Sequence, residues 1–294
     1  MIGSTMISAV NTDAVGTGSA TPTRRPIIGV FDSGVGGLTV LKALLELIPA
    51  ADYLYFGDTA RLPYGSKSVE TVSRYATQAS QFLEHCGAQL LVIACNTATA
   101  LALDKITKAC SVPVVGVIEP GAERASTASH KRRVVVIGTE ATISSHAYRK
   151  ALEGRGVQAR EKACPLLVPL VEEGWTEHPV TEQVARIYLD EAFQDNFKSA
   201  DVLVLGCTHY PLLKPLLRRA APAHVTIVDS AESTAGVVGE LLRVTPVSTS
   251  TEDERRRLPR MKFFATDSVE KFRSLGMRFL GHAIEDVRHV NLEE

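Results

Sequence analysis

The stretch LVIACNT at residues 91–97 returns as LVLGCTH at residues 203–209, and no other feature constrains this chain as much. In each copy a short apolar run ends in a thiol, and polar residues follow. Similar apolar runs occur along the chain as IIGVF (27–31), YLYF (53–56), LLVIA (90–94), VPVVGVI (112–118), RRVVVIG (132–138), DVLVLG (201–206) and HVTIVD (224–229). Short β-branched runs bounded by glycine or polar residues read as buried strands. Helical patterns lie between them. Val69, Val72, Ala76, Ala79, Leu83 and Cys86 share one helical face, 98–110 reads as helix, and ATISSHAYRKALEGRG (141–156) reads as a helix with a glycine stop. This alternation predicts an α/β fold with largely parallel sheets flanked by helices. VVVIGTEAT mirrors IIGVFDSG, so two similar lobes are expected, with an equivalent cysteine at a strand end in each and the active site in the cleft between them.

At 294 residues the chain is long enough for two ordinary domains. Hydrophobic residues make up 45% and charged residues 22%, the balance of a globular protein with a real core. A formal net charge of −1 gives no global field for nucleic acid or an anionic membrane, which argues against nucleic acid as substrate. No run approaches the roughly 18 apolar residues of a membrane span. Residues 1–26 are rich in Ser, Thr, Gly and Ala and lack the apolar core of a signal peptide. They read as a flexible extension on a cytoplasmic protein, since Arg24-Arg25 is followed by strand-like sequence and not by an export signal. The stretch 244–262 sets Arg255, Arg256 and Arg257 beside Glu252, Asp253 and Glu254, the pattern of a solvated surface loop.

Five cysteines without a Cys-x-x-Cys pair argue against a disulfide scaffold or a zinc finger. Cys86 and Cys110 read as packing residues, and Cys164 as structural. FDSGVGGL (31–38) invites a phosphate-loop reading, but Thr39 stands where a dinucleotide fingerprint needs glycine, and no Gly-Lys-Ser/Thr follows. Asp32 would also repel phosphate. The glycines can instead offer backbone N–H groups to a carboxylate. Asp32 then reads either as a helix cap or as a polar group at the carboxyl edge of a sheet, where open α/β folds place their sites.

Taken singly, Cys95 and Cys207 each read as a small buried hydrophobe. Their shared context points elsewhere. A thiol at a strand-to-helix turn feels the helix N-terminus, which lowers its pKa and favours thiolate. His209, two residues past Cys207, leaves a Cys–His pair for acyl transfer open. Two matched acid–bases facing opposite sides of one carbon would instead remove a proton from one face and deliver one to the other, which is racemisation without a cofactor.

FDSGVGGLTVLKAL, FGDTARLPYGSKS, ACNTATA, CPLLVPLVEEGW and LGCTHYPLL, in this order, resemble the cofactor-independent aspartate/glutamate racemase family, its glutamate racemases in particular, and VDSAE (228–232) extends the match. The resemblance implies that Cys95 takes the α-proton from D-glutamate and Cys207 from L-glutamate. It assigns Asp32 to assist Cys95, and Glu172 and His209 to assist Cys207, with the adjacent Glu173 solvated. It places substrate binding on Asp32, Ser33, Tyr64, Gly65, Asn96, Thr97, Thr142, Thr208 and His209. The Ser, Thr, Asn and backbone N–H groups among them supply donors to two carboxylates without a competing full charge. It further implies a first lobe of 27–117 plus 229–294 and a second of 118–228. A homodimer, no cofactor and no metal, a supply of D-glutamate for peptidoglycan, and an N-terminal extension that helps bind a peptidoglycan-precursor activator complete its implications. An aspartate racemase of the same family and a non-catalytic acidic-amino-acid-binding protein are the rival readings.

Overall fold

The computed structural model of the chain describes residues 25–244 and 258–292. Among the described residues, ten strands form two sheets, each parallel throughout. They are β1 (Ile27–Asp32), β2 (Asp52–Gly57), β3 (Leu90–Ile93), β4 (Val114–Gly116), β5 (Arg133–Gly138), β6 (Gln158–Ala163), β7 (Val202–Gly206), β8 (Thr226–Asp229), β9 (Met261–Ala265) and β10 (Val287–His289). The six-stranded sheet runs β10-β9-β2-β1-β3-β4 and the four-stranded sheet β6-β5-β7-β8. The order β2-β1-β3-β4 is repeated as β6-β5-β7-β8, so β3 and β7, which lead into Cys95 and Cys207, hold equivalent places. The sequence repeat is a topological one.

The flanking helices are α1 (Leu38–Leu47), α2 (Val69–His85), α3 (Asn96–Ala109), α4 (Ile118–Ala128), α5 (Glu140–Ser144), α6 (Ala147–Glu153), α7 (Leu167–Glu172), α8 (Pro179–Ala192), α9 (Lys214–Ala220), α10 (Ser230–Val244) and α11 (Val269–Leu280). The chain crosses from the first sheet to the second through α4 and returns through α10, which packs on α1 and α4. Beyond α10, β9 pairs with β2 and extends the first sheet.

Strands covered on both faces read as continuous apolar runs. Val134, Val135, Val136 and Ile137 of β5 are fully buried, as are Leu91, Val92 and Ile93 of β3. Each such side chain contributes about 1.5–3 kcal/mol by leaving water. Helix α2 shows how local signals fix an element. The Ser68 hydroxyl accepts from the Thr71 N–H at its N-cap, Val72, Ala76, Ala79 and Leu83 form its buried face, and Gly87 follows its end at φ +99°.

The structure corrects several expectations. Val69 and Cys86, at the two ends of the α2 face, are exposed; Cys86 follows the last helical residue, so its thiol turns outward. The run 112–118 is a strand only over Val114–Gly116, and α4 begins at Ile118. The single helix expected over 141–156 is two. The Ser145 hydroxyl donates to the Thr142 carbonyl and accepts from the Ala147 N–H, while His146 takes a left-handed φ of 55°. Arg25, placed in the flexible extension, is buried and donates to the carbonyls of Pro49 and Ala51. Residues 1–24 of that extension lie outside the described residues. So does most of the loop expected at 244–262, including its charged run, although Met261 and Lys262 already belong to β9.

Candidate active site

Strand β1 ends in Asp32, whose side chain is buried at the base of the glycine loop that leads into α1. The Gly34 N–H donates to Asp32 Oδ2 at 2.9 Å, and the amides of Ser33 and Gly37 turn to the same carboxylate. These loop amides therefore serve Asp32 itself, which corrects the expectation that they would be offered to a bound carboxylate. Burial pushes the pKa of Asp32 up, opposed by the charge of His209 and by those amides. Its Oδ1 has no partner among the described residues.

Cys95 follows β3 and caps α3, its sulfur accepting from the Ala98 N–H at 3.4 Å and donating to Ser33 Oγ at 3.5 Å. The helix terminus is present, yet the thiol is not acidified. Burial pushes its pKa up to about 12, and the neighbouring Asp32 charge adds to this, outweighing the cap and the Ser33 bond. Cys207 departs from its mirror image in a different way. It follows β7 as expected, but Thr208 and His209 lead into a 3-10 turn at Tyr210–Leu213 before the seven-residue α9, so no long helix begins at its sulfur.

Cys207 has instead an imidazole beside it. His209 Nδ1 lies 3.9 Å from Cys207 Sγ, and Nε2 lies 3.1 Å from Glu172 Oε1 at the end of α7. Burial disfavours the imidazolium, but hydrogen bonds to Cys207 and Glu172 and their charges outweigh it and raise the His209 pKa to about 10. The same hydrogen bond holds the Glu172 carboxyl below its ordinary value, against partial burial. The edge of Phe279 on α11 meets the His209 ring at 5.1 Å, and Arg278 donates to the Glu172 carbonyl at 2.8 Å. Glu173 is exposed.

The two lobes meet closely here. The Thr39 hydroxyl donates to the Thr208 carbonyl at 3.1 Å. A Cβ on Gly36 would collide with Thr208 Oγ1 and lie 2.5 Å from His209 Nδ1, so only glycine lets the loop approach.

Between the lobes lies a cavity of about 460 Å³, within the range of small-molecule sites. Both thiols line it, as do His209 and Glu172. Of the expected binding residues, Ser33, Tyr64, Gly65, Asn96, Thr97 and Thr208 also line it. Asp32 and Thr142 stand behind the wall. Thr142 is fully buried, its hydroxyl bonded to those of Thr97 (3.1 Å) and Thr139 (2.9 Å). The Tyr64 hydroxyl donates to Asp58 Oδ2 at 2.5 Å, which pins that part of the wall.

Sequence reasoning missed Thr139, Glu140, Val168 and Lys271, which also line the cavity. Thr139 had a signal, since it follows β5 as Ser33 follows β1. Lys271 had none, being one lysine of an ordinary amphipathic helix 62 residues beyond His209. No group of three or more metal-ligating side chains occurs among the described residues. A thiol beside a carboxylate and a thiol beside an imidazole–carboxylate pair, opening on one cavity rich in hydrogen-bond donors, can move protons at a shared carbon.

The profile of the Asp/Glu/Hydantoin racemase family matches residues 28–238. A glutamate racemase of Koribacter versatilis is 58% identical over 286 residues, covering 92% of this chain and 98% of that protein. The crystal structure of glutamate racemase from Francisella tularensis in complex with D-glutamate is 35% identical, with a TM-score of 0.82, covering 91% of this chain and 98% of its own. The Escherichia coli glutamate racemase in complex with L-glutamate and the activator UDP-MurNAc-ala is 26% identical, with a TM-score of 0.73, covering 90% and 97%. This chain belongs to the Asp/Glu/Hydantoin racemase family.

Proposed function

We propose that the chain is an amino-acid racemase that interconverts L- and D-glutamate without pyridoxal phosphate, supplying D-glutamate for peptidoglycan. The observation that carries this reading is the pair of thiols at topologically equivalent strand ends, opening on one cavity. Reversible reaction between mirror images needs an acid–base on each face of the α-carbon, and a two-fold related pair supplies them.

Cys207 takes the α-proton of L-glutamate while Cys95 delivers one to the opposite face, and the roles reverse for D-glutamate. His209, held by Glu172 and carrying a proton at its raised pKa, hands that proton to Cys207 when the sulfur must deliver one and takes it back afterwards. Asp32 does the corresponding work beside Cys95, where its amide cradle fixes the carboxylate. Both thiols must hold or lose a proton within one turnover, so a resting Cys95 that keeps its proton suits the donor role toward L-glutamate. Ser33, Tyr64, Gly65, Asn96, Thr97 and Thr208 present hydrogen-bond donors to the two carboxylates and acceptors to the ammonium, and Thr142 orients Thr97 from behind. The enclosed cavity strengthens these interactions as negative charge develops on the α-carbon.

The reading extends to a cytoplasmic homodimer, supported by the family resemblance. Activation by a peptidoglycan precursor is proposed by analogy with the Escherichia coli protein crystallised with such an activator.

Racemisation of L-glutamate in deuterium oxide, without added cofactor, tests the central reading by optical rotation and α-deuterium NMR. Inversion with solvent deuterium in the product supports it. Faster turnover of aspartate would move the substrate to the four-carbon acid, and no exchange with either, with or without UDP-MurNAc-ala, would leave a binding protein.

A further inference from the structure

Tyr148 does not line the cavity, yet it reaches across the seam between the lobes. From α6 its hydroxyl donates to Asn96 Oδ1 at the start of α3, 2.8 Å away, with both side chains buried. A phenol has one proton to give. Ser230, the first residue of α10, stands beside the same phenolic group, and the two side chains converge beside Gly121, where an added Cβ would lie 3.3 Å from each. The Tyr148 proton is committed to Asn96.

A primary amide has an acceptor end and a donor end, and the two exchange places when it flips. Tyr148 holds the acceptor end, which fixes where the NH2 group lies. That Nδ2 is buried and has no partner among the described residues, while Asn96 itself lines the cavity. A buried donor left unpaired is unfavourable unless something arrives to accept from it.

We infer that Tyr148 is a positioning residue, which fixes the flip of the Asn96 amide so that its NH2 is held ready for a carboxylate of the amino-acid substrate. The identity of that substrate rests on the racemase reading. In the opposite flip, Asn96 would turn a carbonyl oxygen toward the carboxylate and repel it. Ser230 opens the helix that returns the chain to the first sheet, so the donor is set only when both lobes hold their relative places.

Tyr148→Phe removes one hydroxyl and keeps the ring. KM for both glutamate enantiomers should rise about tenfold with kcat within about threefold of wild type, the signature of lost substrate binding. Asn96→Ala should also raise KM, and the double variant should be no worse than Asn96→Ala alone. An unchanged KM in Tyr148→Phe, or effects that simply add, overturns the inference. A second measurement does not depend on activity. In the ligand-free protein, the side-chain amide signals of Asn96, assigned by their loss in Asn96→Ala, should shift in Tyr148→Phe; signals that stay in place overturn the inference as well. If wild type racemises neither glutamate nor aspartate, the functional reading falls, and the amide signals still decide the hydrogen bond.

Discussion

Glu172 accepts from the buried ring of His209 across 3.1 Å, and the other nitrogen of that ring lies 3.9 Å from Cys207 Sγ. One imidazole thus joins a half-buried carboxylate to a thiol on the cavity wall. The raised His209 pKa makes the pair a pH-dependent stabiliser. Its contribution is fully present below the ordinary value of 6.5 and is lost as pH rises through about 10. The depressed Glu172 carboxyl acts in the other direction, contributing above its ordinary 4.5 and losing that contribution as pH falls. Glu172→Gln removes the carboxylate charge, so the His209 pKa drops toward 6.5, and the stability lost between pH 6.5 and about pH 10 is smaller than in wild type. Urea unfolding midpoints from about pH 6 to about pH 10.5 read this, and profiles that superimpose would contradict it.

The Asp32 charge bears on Cys95, and burial raises the pKa of both. Asp32→Asn removes the neighbouring charge, so the Cys95 pKa falls below about 12. Thiolate absorbance near 240 nm, compared with a Cys95→Ser background, should appear at lower pH in the variant. Racemisation should still drop by about 10²–10⁴, the usual worth of an assisting acid–base group. Full activity in Asp32→Asn would remove Asp32 from the chemistry.

Gly36 is where the first lobe touches Thr208 and His209. Gly36→Ala forces a shift of that contact, since the new methyl would lie 2.5 Å from His209 Nδ1. Misplacement of reacting groups by about 1 Å can cost on the order of 100-fold in rate, while overpacking costs about 1–3 kcal/mol of stability. A folded variant with kcat reduced about 100-fold is expected. Wild-type kcat would show that the contact yields freely.

Among the described residues, Lys271 is the only lysine or arginine lining the cavity. Its side chain is exposed at the mouth, and its charge lowers the Glu172 pKa. Lys271→Met should raise KM for glutamate a few-fold at low salt, and the difference from wild type should shrink as salt screens the ammonium. A salt-independent difference would point to packing.

The parts of this molecule most legible in its sequence are those whose side chains face one environment. Strand β7, and β5 after Arg133, are buried on both faces, so they read as unbroken apolar runs, and the thiol after β7 stands out against them. Strand β6 (QAREKA) was missed because it is an edge strand, half-buried and charged, with no run to read. The break between α5 and α6 depends on one serine hydroxyl that competes for backbone partners, too local for a periodicity to register. Asp32, Cys95, Cys207 and His209 were legible because each sits at or just beyond a strand end. Glu172 came only from the family resemblance, and Lys271 and Tyr148 reach the site from helices whose patterns are ordinary.

The order in which the strands are laid down has a consequence for synthesis. β2 pairs with β1 on one side and with β9 on the other, yet β9 begins 204 residues after β2 ends. At about 5–20 residues per second on a ribosome, β2 waits on the order of 10–40 s with an open edge. During that interval the second lobe can form complete while the first still exposes a strand able to pair with a neighbouring nascent chain. A chain that stops anywhere before Met261 never closes that edge, so premature termination leaves a sticky product as well as an inactive one.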